Sequence, residues 1–266
     1  MSDPFRRGES AGALQSELRE AAGWLVELFF ERAARAPAVE EAVPIEPGTT
    51  RLARGRRIGF VSLVAGCGTT STATLMAQRS GGGGGRVRLV DLDLVAPTIA
   101  LLACHREPTV ADALTAPGEL RARRWGSIEA IFGSTLDLGA EGGDALGELV
   151  RRSARDAAAV IDAGTLGSPA SDRVLRACDT VLYVATPRAS HVHAAARASA
   201  LLATLGIKAR LVLTRCDPAA AAPLAAEIGL PLLGSVPEDP YLARDEFRVR
   251  AETARAIDQL CAALAA

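Results

Sequence analysis

Past residue 57 the chain alternates short apolar runs with Ala/Leu-rich stretches of helical length, and this alternation limits the possible folds more than any other feature. The runs are Ile58–Val64, Val87–Asp91, Ser127–Phe132, Ala158–Asp162, Thr180–Ala185, Ala209–Thr214 and Leu232–Val236. Between them lie helical patterns at Thr69–Gln78, Ala145–Ala154, Asp172–Cys178, Val192–Leu205, Pro223–Ile228 and Val249–Leu264. Several runs are apolar throughout, with no polar alternation, as a strand must be when helices cover both faces of its sheet. The alternation predicts an α/β fold with a doubly wound, mostly parallel sheet. Such sheets bind ligands beyond the carboxyl ends of their strands, so function is to be sought just past each run.

Residues 1–36 read differently. Leu14, Leu18, Ala21, Leu25, Leu28, Phe29 and Phe30 recur at helical spacing among Glu and Arg, with Ser10 as a candidate N-cap. The segment 1–36 is therefore expected to form an amphipathic helix. Three roles are open to it: packing on its own domain, association with a partner or a second copy, or lying on a membrane surface. The last fits least well, because the polar face mixes signs instead of being basic. Residues 37–57, with Pro37, Pro44, Pro47 and Gly48, read as a linker, and 58–266 as the α/β domain. The glycine run Gly81–Gly85 reads as a flexible loop.

Composition narrows the function. A chain that is 49% hydrophobic and 23% charged, with net charge −1, has no long-range field favouring nucleic acid or an anionic membrane. Cysteines 67, 104, 178, 216 and 261 form no CxxC or Cys/His cluster, so neither a disulfide framework nor a zinc site is expected. Scattered cysteines, no signal-peptide pattern and no apolar run of membrane-spanning length predict a cytoplasmic protein. Lys208 is the only lysine. It opens a run expected to lie at a sheet edge, facing solvent.

The first run ends in Val64-Ala65-Gly66-Cys67-Gly68-Thr69-Thr70-Ser71 and leads straight into a helical pattern. Glycines in a strand-to-helix turn let backbone N–H groups approach an anion, and the helix N-terminus adds partial positive charge. Gly66, Cys67, Gly68, Thr69, Thr70 and Ser71 are thus candidates for holding phosphate. A Thr70 or Ser71 hydroxyl suits a magnesium ion. Alone, the loop is equally well read as a tight turn with a Thr/Ser-capped helix. Two further strand ends strengthen the first reading. Val87–Asp91 continues as Leu92-Asp93, and Ala158–Asp162 is an apolar strand ending in an acid. Three carboxylates around a glycine loop, in this chain order, are the acidic complement of a nucleotide–magnesium site.

At this point residues 56–266 resemble the ParA/MinD family of deviant-Walker P-loop ATPases. The resemblance rests on the glycine loop, the strand ending Asp91-Leu92-Asp93, the strand ending Asp162, the stretch Ala177–Val184 and the segment Gly234–Asp239. It implies ATP and Mg2+ as cofactors, with Thr70, Asp91 and Asp162 at the metal and Asp93 positioning the attacking water. Thr214 and Pro237 fall where the family flanks the adenine. Within the family the small residue at Thr69 and the Asp91-Leu92-Asp93-Leu94 sequence look most like the CpaE/TadZ branch. That branch implies a role in Tad-type pilus or secretion assembly, protein partners of that machinery, a homodimer, and membrane contact only through a partner.

The family's signature lysine falls on Val64 and its phosphate-loop lysine on Thr69, both neutral here. Charge positioned on the phosphates supplies most of the catalysis in phosphoryl transfer. Losing one preorganised donor costs ~10²–10³ in rate, so weak or absent hydrolysis is expected. Arg88 and Arg188 are candidate replacements for the missing charge. Two rivals remain: an active ATPase in partitioning or division-site placement, and a nucleotide-free scaffold. His191 and His193 are expected to cap or face solvent. Arg121, Arg123 and Arg124 around Trp125 read as a solvated loop. Cys67 fills space or, alternatively, serves redox chemistry.

Overall fold

The computed structural model describes residues 43–116, 118, 120–134, 142–167, 171–242 and 248–265. They fall in one compact unit that begins at Ala42; the amphipathic helix expected over 1–36 lies outside the described residues. In chain order the elements are β1 (Val43–Pro44), β2 (Arg57–Ser62), α1 (Thr69–Ser80), β3 (Val87–Asp91), α2 (Ile99–Ala103), α3 (Val110–Thr115), β4 (Arg123–Trp125), β5 (Ile128–Ile131), α4 (Gly142–Ser153), β6 (Ala158–Thr165), α5 (Ser171–Arg176), β7 (Thr180–Ala185), α6 (Ala189–Thr204), β8 (Ala209–Thr214), α7 (Pro218–Ile228), β9 (Leu232–Val236), β10 (Arg248–Val249) and α8 (Ala251–Ala265).

The main sheet has eight strands in the order β4-β5-β3-β6-β2-β7-β8-β9. Every pairing is parallel except β4 with β5. The chain starts near the middle at β2, moves out to β3 and β5, returns to β6, and then builds β7, β8 and β9 on the other side. The strand order therefore reverses around β2, the position at which open α/β sheets bind ligands.

Side chains alternate between the two faces of each strand. Ile58 and Phe60 of β2, Val160 of β6 and Leu182 and Val184 of β7 join the core beneath α1 and α8. Val61, Ile161, Val181 and Tyr183 join the core beneath α4, α5, α6 and α7. Each fully buried Leu, Ile or Val is worth about 1.5–3 kcal/mol relative to exposure, which explains why the central strands tolerate almost no polar residue. The polar exceptions are therefore informative.

Several local expectations are revised. Residues 37–57 were expected to form a linker, yet from Val43 onward the chain packs on the domain: β1 pairs with β10, and Leu52 is buried. The glycine run is a packed turn, since a Cβ at Gly82 would sit 1.9 Å from that of Pro47 and one at Gly81 2.6 Å from the Ser127 carbonyl. Of the arginines around Trp125, Arg121 lies in an exposed loop as expected, but Arg123 and Arg124 form the short edge strand β4, a charged edge that discourages pairing with another chain. Lys208 is exposed as expected, but β8 is an inner strand because β9 pairs beyond it. Small elements such as β1, β4, α2 and α3 are too short to leave a periodic signal. Among the described residues no helix is long and apolar enough to cross a membrane.

Candidate nucleotide-binding site

The loop after β2 turns sharply through Gly66 (φ 79°) and Gly68 (φ 84°), both in the left-handed region that glycine alone enters without strain. It then becomes α1, whose N-cap is Gly68 and whose first turn has no side-chain cap and no acid. The N-terminal N–H groups of this twelve-residue helix thus have no side-chain cap among the described residues. Thr69 is buried, while Thr70 and Ser71 are half-buried at the loop mouth. Val64 packs against the core beneath α1.

Strand register brings the acids together. Asp91 of β3 lies directly opposite Asp162 of β6, and Asp162 opposite Phe60 of β2. By the alternation along β3 and β6, Asp91 and Asp162 share the face of Leu89, Val160 and α1. Both carboxylates therefore sit under the start of α1, and both are fully buried at 0% exposure. Asp91 Oδ1 accepts from the Asp93 amide at 3.2 Å and Oδ2 from the Ile99 amide at 3.2 Å. Asp162 Oδ1 accepts from the Gly164 amide at 3.1 Å, but its Oδ2 has no partner within hydrogen-bonding geometry. Burial and then the neighbouring Asp162 charge push Asp91 up to about 8. Burial pushes Asp162 up to about 6 although the nearby Thr70 hydroxyl and the Gly164 amide favour its ionised form.

A buried acid pair with one orphaned oxygen, beside a hydroxyl and an uncapped helix end, fits a divalent cation with a phosphate. Among the described residues no three His, Cys, Asp or Glu side chains form a ready-made metal cage. That suits magnesium, which takes one or two carboxylates and completes its shell with phosphate and water. Thr70, Asp91 and Asp162 would hold it. Asp93 is half-buried, and its Oδ1 accepts from the amides of Val95 and Ala96 at 3.1 and 3.0 Å, so the carboxylate organises its own loop.

Thr214 lies at the end of β8 under the loop. Its Oγ1 donates to the Cys67 carbonyl at 2.5 Å, which braces the loop. Pro237 stands apart, lining a groove with Pro218, Gly234 and Arg255 between α7, β9 and α8. Cys67 is 2% exposed and its thiol is raised by burial, which argues for space filling over redox chemistry. Arg88 cannot supply the missing lysine charge: it points to the opposite face of β3, buried against Glu129, Asp156 and the Ser153 carbonyl.

Four features at the site are not evident from sequence patterns. His191 was expected to cap or face solvent, but it is buried, its Nδ1 2.7 Å from Thr186 Oγ1 and 3.5 Å from the Cys67 sulfur. His193 is exposed, as expected. Burial and the nearby Arg188 and Arg215 lower the His191 pKa, keeping the ring neutral at physiological pH. Gly133 and Gly164 leave room for the acids: a Cβ at Gly133 would lie 2.7 Å from Asp91 Cγ, and one at Gly164 2.5 Å from Asp93 Cγ. Arg215 follows Thr214 in a left-handed conformation (φ 53°). Only Gly164, two residues after the acid that closes the apolar run Ala158–Asp162, carried a signal that sequence reading could have used.

No protein-family model matches the sequence. No curated protein matches it either. Solved structures do. A ParA family ATPase from Chlorobium tepidum TLS superposes with a TM-score of 0.66 at 18% identity, covering 78% of this chain and 99% of the other. The septum site-determining protein MinD from Pyrococcus horikoshii OT3, complexed with Mg-ADP, gives 0.62 at 18% identity, covering 77% and 94%. A Cyanothece McdA variant in complex with ATP gives 0.66 at 14% identity, covering 80% and 97%. The fold is thus that of ParA/MinD-type P-loop ATPases.

Proposed function

We propose that this chain is a ParA/MinD-type nucleotide-binding protein with little or no ATP hydrolysis, acting as a cytoplasmic positioning or assembly factor. The observation that carries the reading is the buried Asp91–Asp162 pair, with its orphaned Oδ2, under the uncapped start of α1. Such a pair is costly to bury without a cation to face it. Likeness in fold to proteins solved with Mg-ADP and with ATP supports ATP and Mg2+ as the ligands. Thr70, Asp91 and Asp162 would hold the cation, the loop Gly66–Ser71 the phosphates, and Thr214 the loop's shape.

Weak hydrolysis follows from the charges. Val64 and Thr69 are neutral, and Lys208 lines a cavity with Asp179 and Pro231 at the amino ends of the strands, the far side of the sheet from the loop. Asp93 would retain only a vestigial hold on attacking water. Of the family's roles, CpaE/TadZ-like assembly of a Tad-type pilus or secretion system suits a site that binds without turning over. The partners would then be proteins of that machinery, with membrane contact only through them. A homodimer would have to form without a lysine reaching across from Val64.

The test is thermal stability with and without ATP–Mg, measured together with turnover of radiolabelled ATP. A rise in melting temperature with no turnover is expected. Turnover at ordinary ATPase rates, abolished by Asp93→Ala, would establish an active enzyme instead. No thermal shift would leave a nucleotide-free scaffold.

A further inference from the structure

A phosphate held only by backbone amides keeps most of its charge uncompensated, and both positions that could carry a compensating lysine are neutral. Two arginines adjoin the residues that brace the loop. Arg188 caps the start of α6, directly after β7; its amide donates to Thr186 Oγ1 at 3.4 Å, and Thr186 leads through His191 to the Cys67 sulfur. Arg215 directly follows Thr214, whose hydroxyl is bonded to the Cys67 carbonyl. Both arginines are exposed, and neither has a carboxylate partner among the described residues. By contrast Arg57, Arg79, Arg86 and Arg88 are all ion-paired.

We propose that Arg188 and Arg215 supply the positive charge on a phosphate held in the glycine loop, in place of the absent lysine. This rests on the reading of the loop as a nucleotide site. Three observations converge on it. Both residues follow the carboxyl ends of β7 and β8, the strands laid down beyond β2 on the side away from the acids, so the loop has negative groups for a cation on one flank and positive groups for an anion on the other. Both fields reach the loop's centre, since Arg215 and Arg188 each favour the ionised form of the Cys67 thiol. Arg215 also holds a left-handed conformation that a non-glycine residue adopts at a cost, and such strain persists where the side chain's placement matters. Arginine suits the task because its planar fork reaches phosphate oxygens from a distance and stays charged at any accessible pH.

The experiment uses the full chain and three probes: ATP–Mg, inorganic tripolyphosphate with magnesium, and adenosine. Binding is followed by titration calorimetry for the wild type, Arg188→Ala, Arg215→Gly, the double variant and Thr70→Ala. Glycine is chosen at 215 because it relieves the backbone strain. Arg215→Gly is expected to keep or raise the melting temperature while weakening ATP–Mg and tripolyphosphate about tenfold, opposite signs that a structural role would not produce. Tenfold is about 1.4 kcal/mol, the low end of what one charge-assisted hydrogen bond contributes. Arg188→Ala should weaken both phosphate probes similarly and flatten the salt dependence, leaving adenosine unchanged. If the double variant binds ATP–Mg like the wild type while Thr70→Ala loses it, the arginine assignment is overturned and the nucleotide site stands. If the wild type binds no phosphate probe at all, both fall.

Discussion

Replacing Asp91 by Asn gives the most direct measure of what the acid pair costs. Asp91 and Asp162 face each other across β3 and β6, wholly buried, with the native Asp91 raised from an ordinary 3.8 to about 8. Between those two values the unfolded chain has released its proton and the native chain has kept it. The unfolded state then binds fewer protons, so native stability falls as pH rises through this window and levels off above about 8. Each pH unit in the window is worth at most about 1.4 kcal/mol, which sets a ceiling of ~6 kcal/mol for Asp91. Water penetration and relaxation, which raise the effective dielectric towards 20, reduce the expected loss to ~2–3 kcal/mol. Asn matches the protonated acid in shape but has one acceptor oxygen, so its NH2 must face the Asp93 or the Ile99 amide; Asp91→Asn should cost ~1–3 kcal/mol at about pH 5 and gain ~2–3 kcal/mol relative to the wild type by about pH 8. Urea unfolding of both proteins at several pH values in the absence of divalent cations reads this directly. Parallel pH profiles for the two proteins would refute the reasoning, since the pair would then carry no native-state proton.

Gly164→Ala should cost ~1–3 kcal/mol, because φ is +64° and the new Cβ would lie 2.5 Å from Asp93 Cγ; a denaturant midpoint unchanged from the wild type would count against the close packing of the two acidic loops. Timed alkylation of the native chain followed by mass spectrometry should label Cys104 first, as it is exposed, and leave Cys67 and Cys261 protected, both being buried and the latter raised to about 11. Fast labelling of Cys67 would indicate a reactive loop thiol.

The fold was readable because burial on both faces forces apolar strands. Val87–Asp91, Thr180–Ala185, Ala209–Thr214 and Leu232–Val236 form over the residues expected. Asp91 and Asp162 were readable as a pair because each ends an apolar run, although β6 continues to Thr165 and only the sheet order makes the two acids neighbours. Arg88 and Arg188 look alike in sequence, and only the fold separates them: parity along β3 turns Arg88 to Glu129 of β5 and Asp156 past the end of α4, whereas Arg188 falls at the N-cap of α6. His191 left no signal because one buried polar contact has no period. Arg215 left none because a left-handed turn residue is usually glycine or asparagine. The packing of residues 43–57 was hidden because prolines mark both linkers and snug extended segments.

The Thr214–Cys67 bond also bears on the order in which the molecule is made. Its two ends lie 147 residues apart, and Arg188, His191 and Arg215 likewise come from the second half of the chain. A growing chain emerges with its glycine loop and Asp91 early, yet the brace and the cationic flank arrive only once β8 has docked. Long-range closures of this kind are entropically late events in folding. The loop therefore gains its final shape near the end of assembly, and a fragment ending before β8 would carry every residue of the glycine motif without the means to hold it.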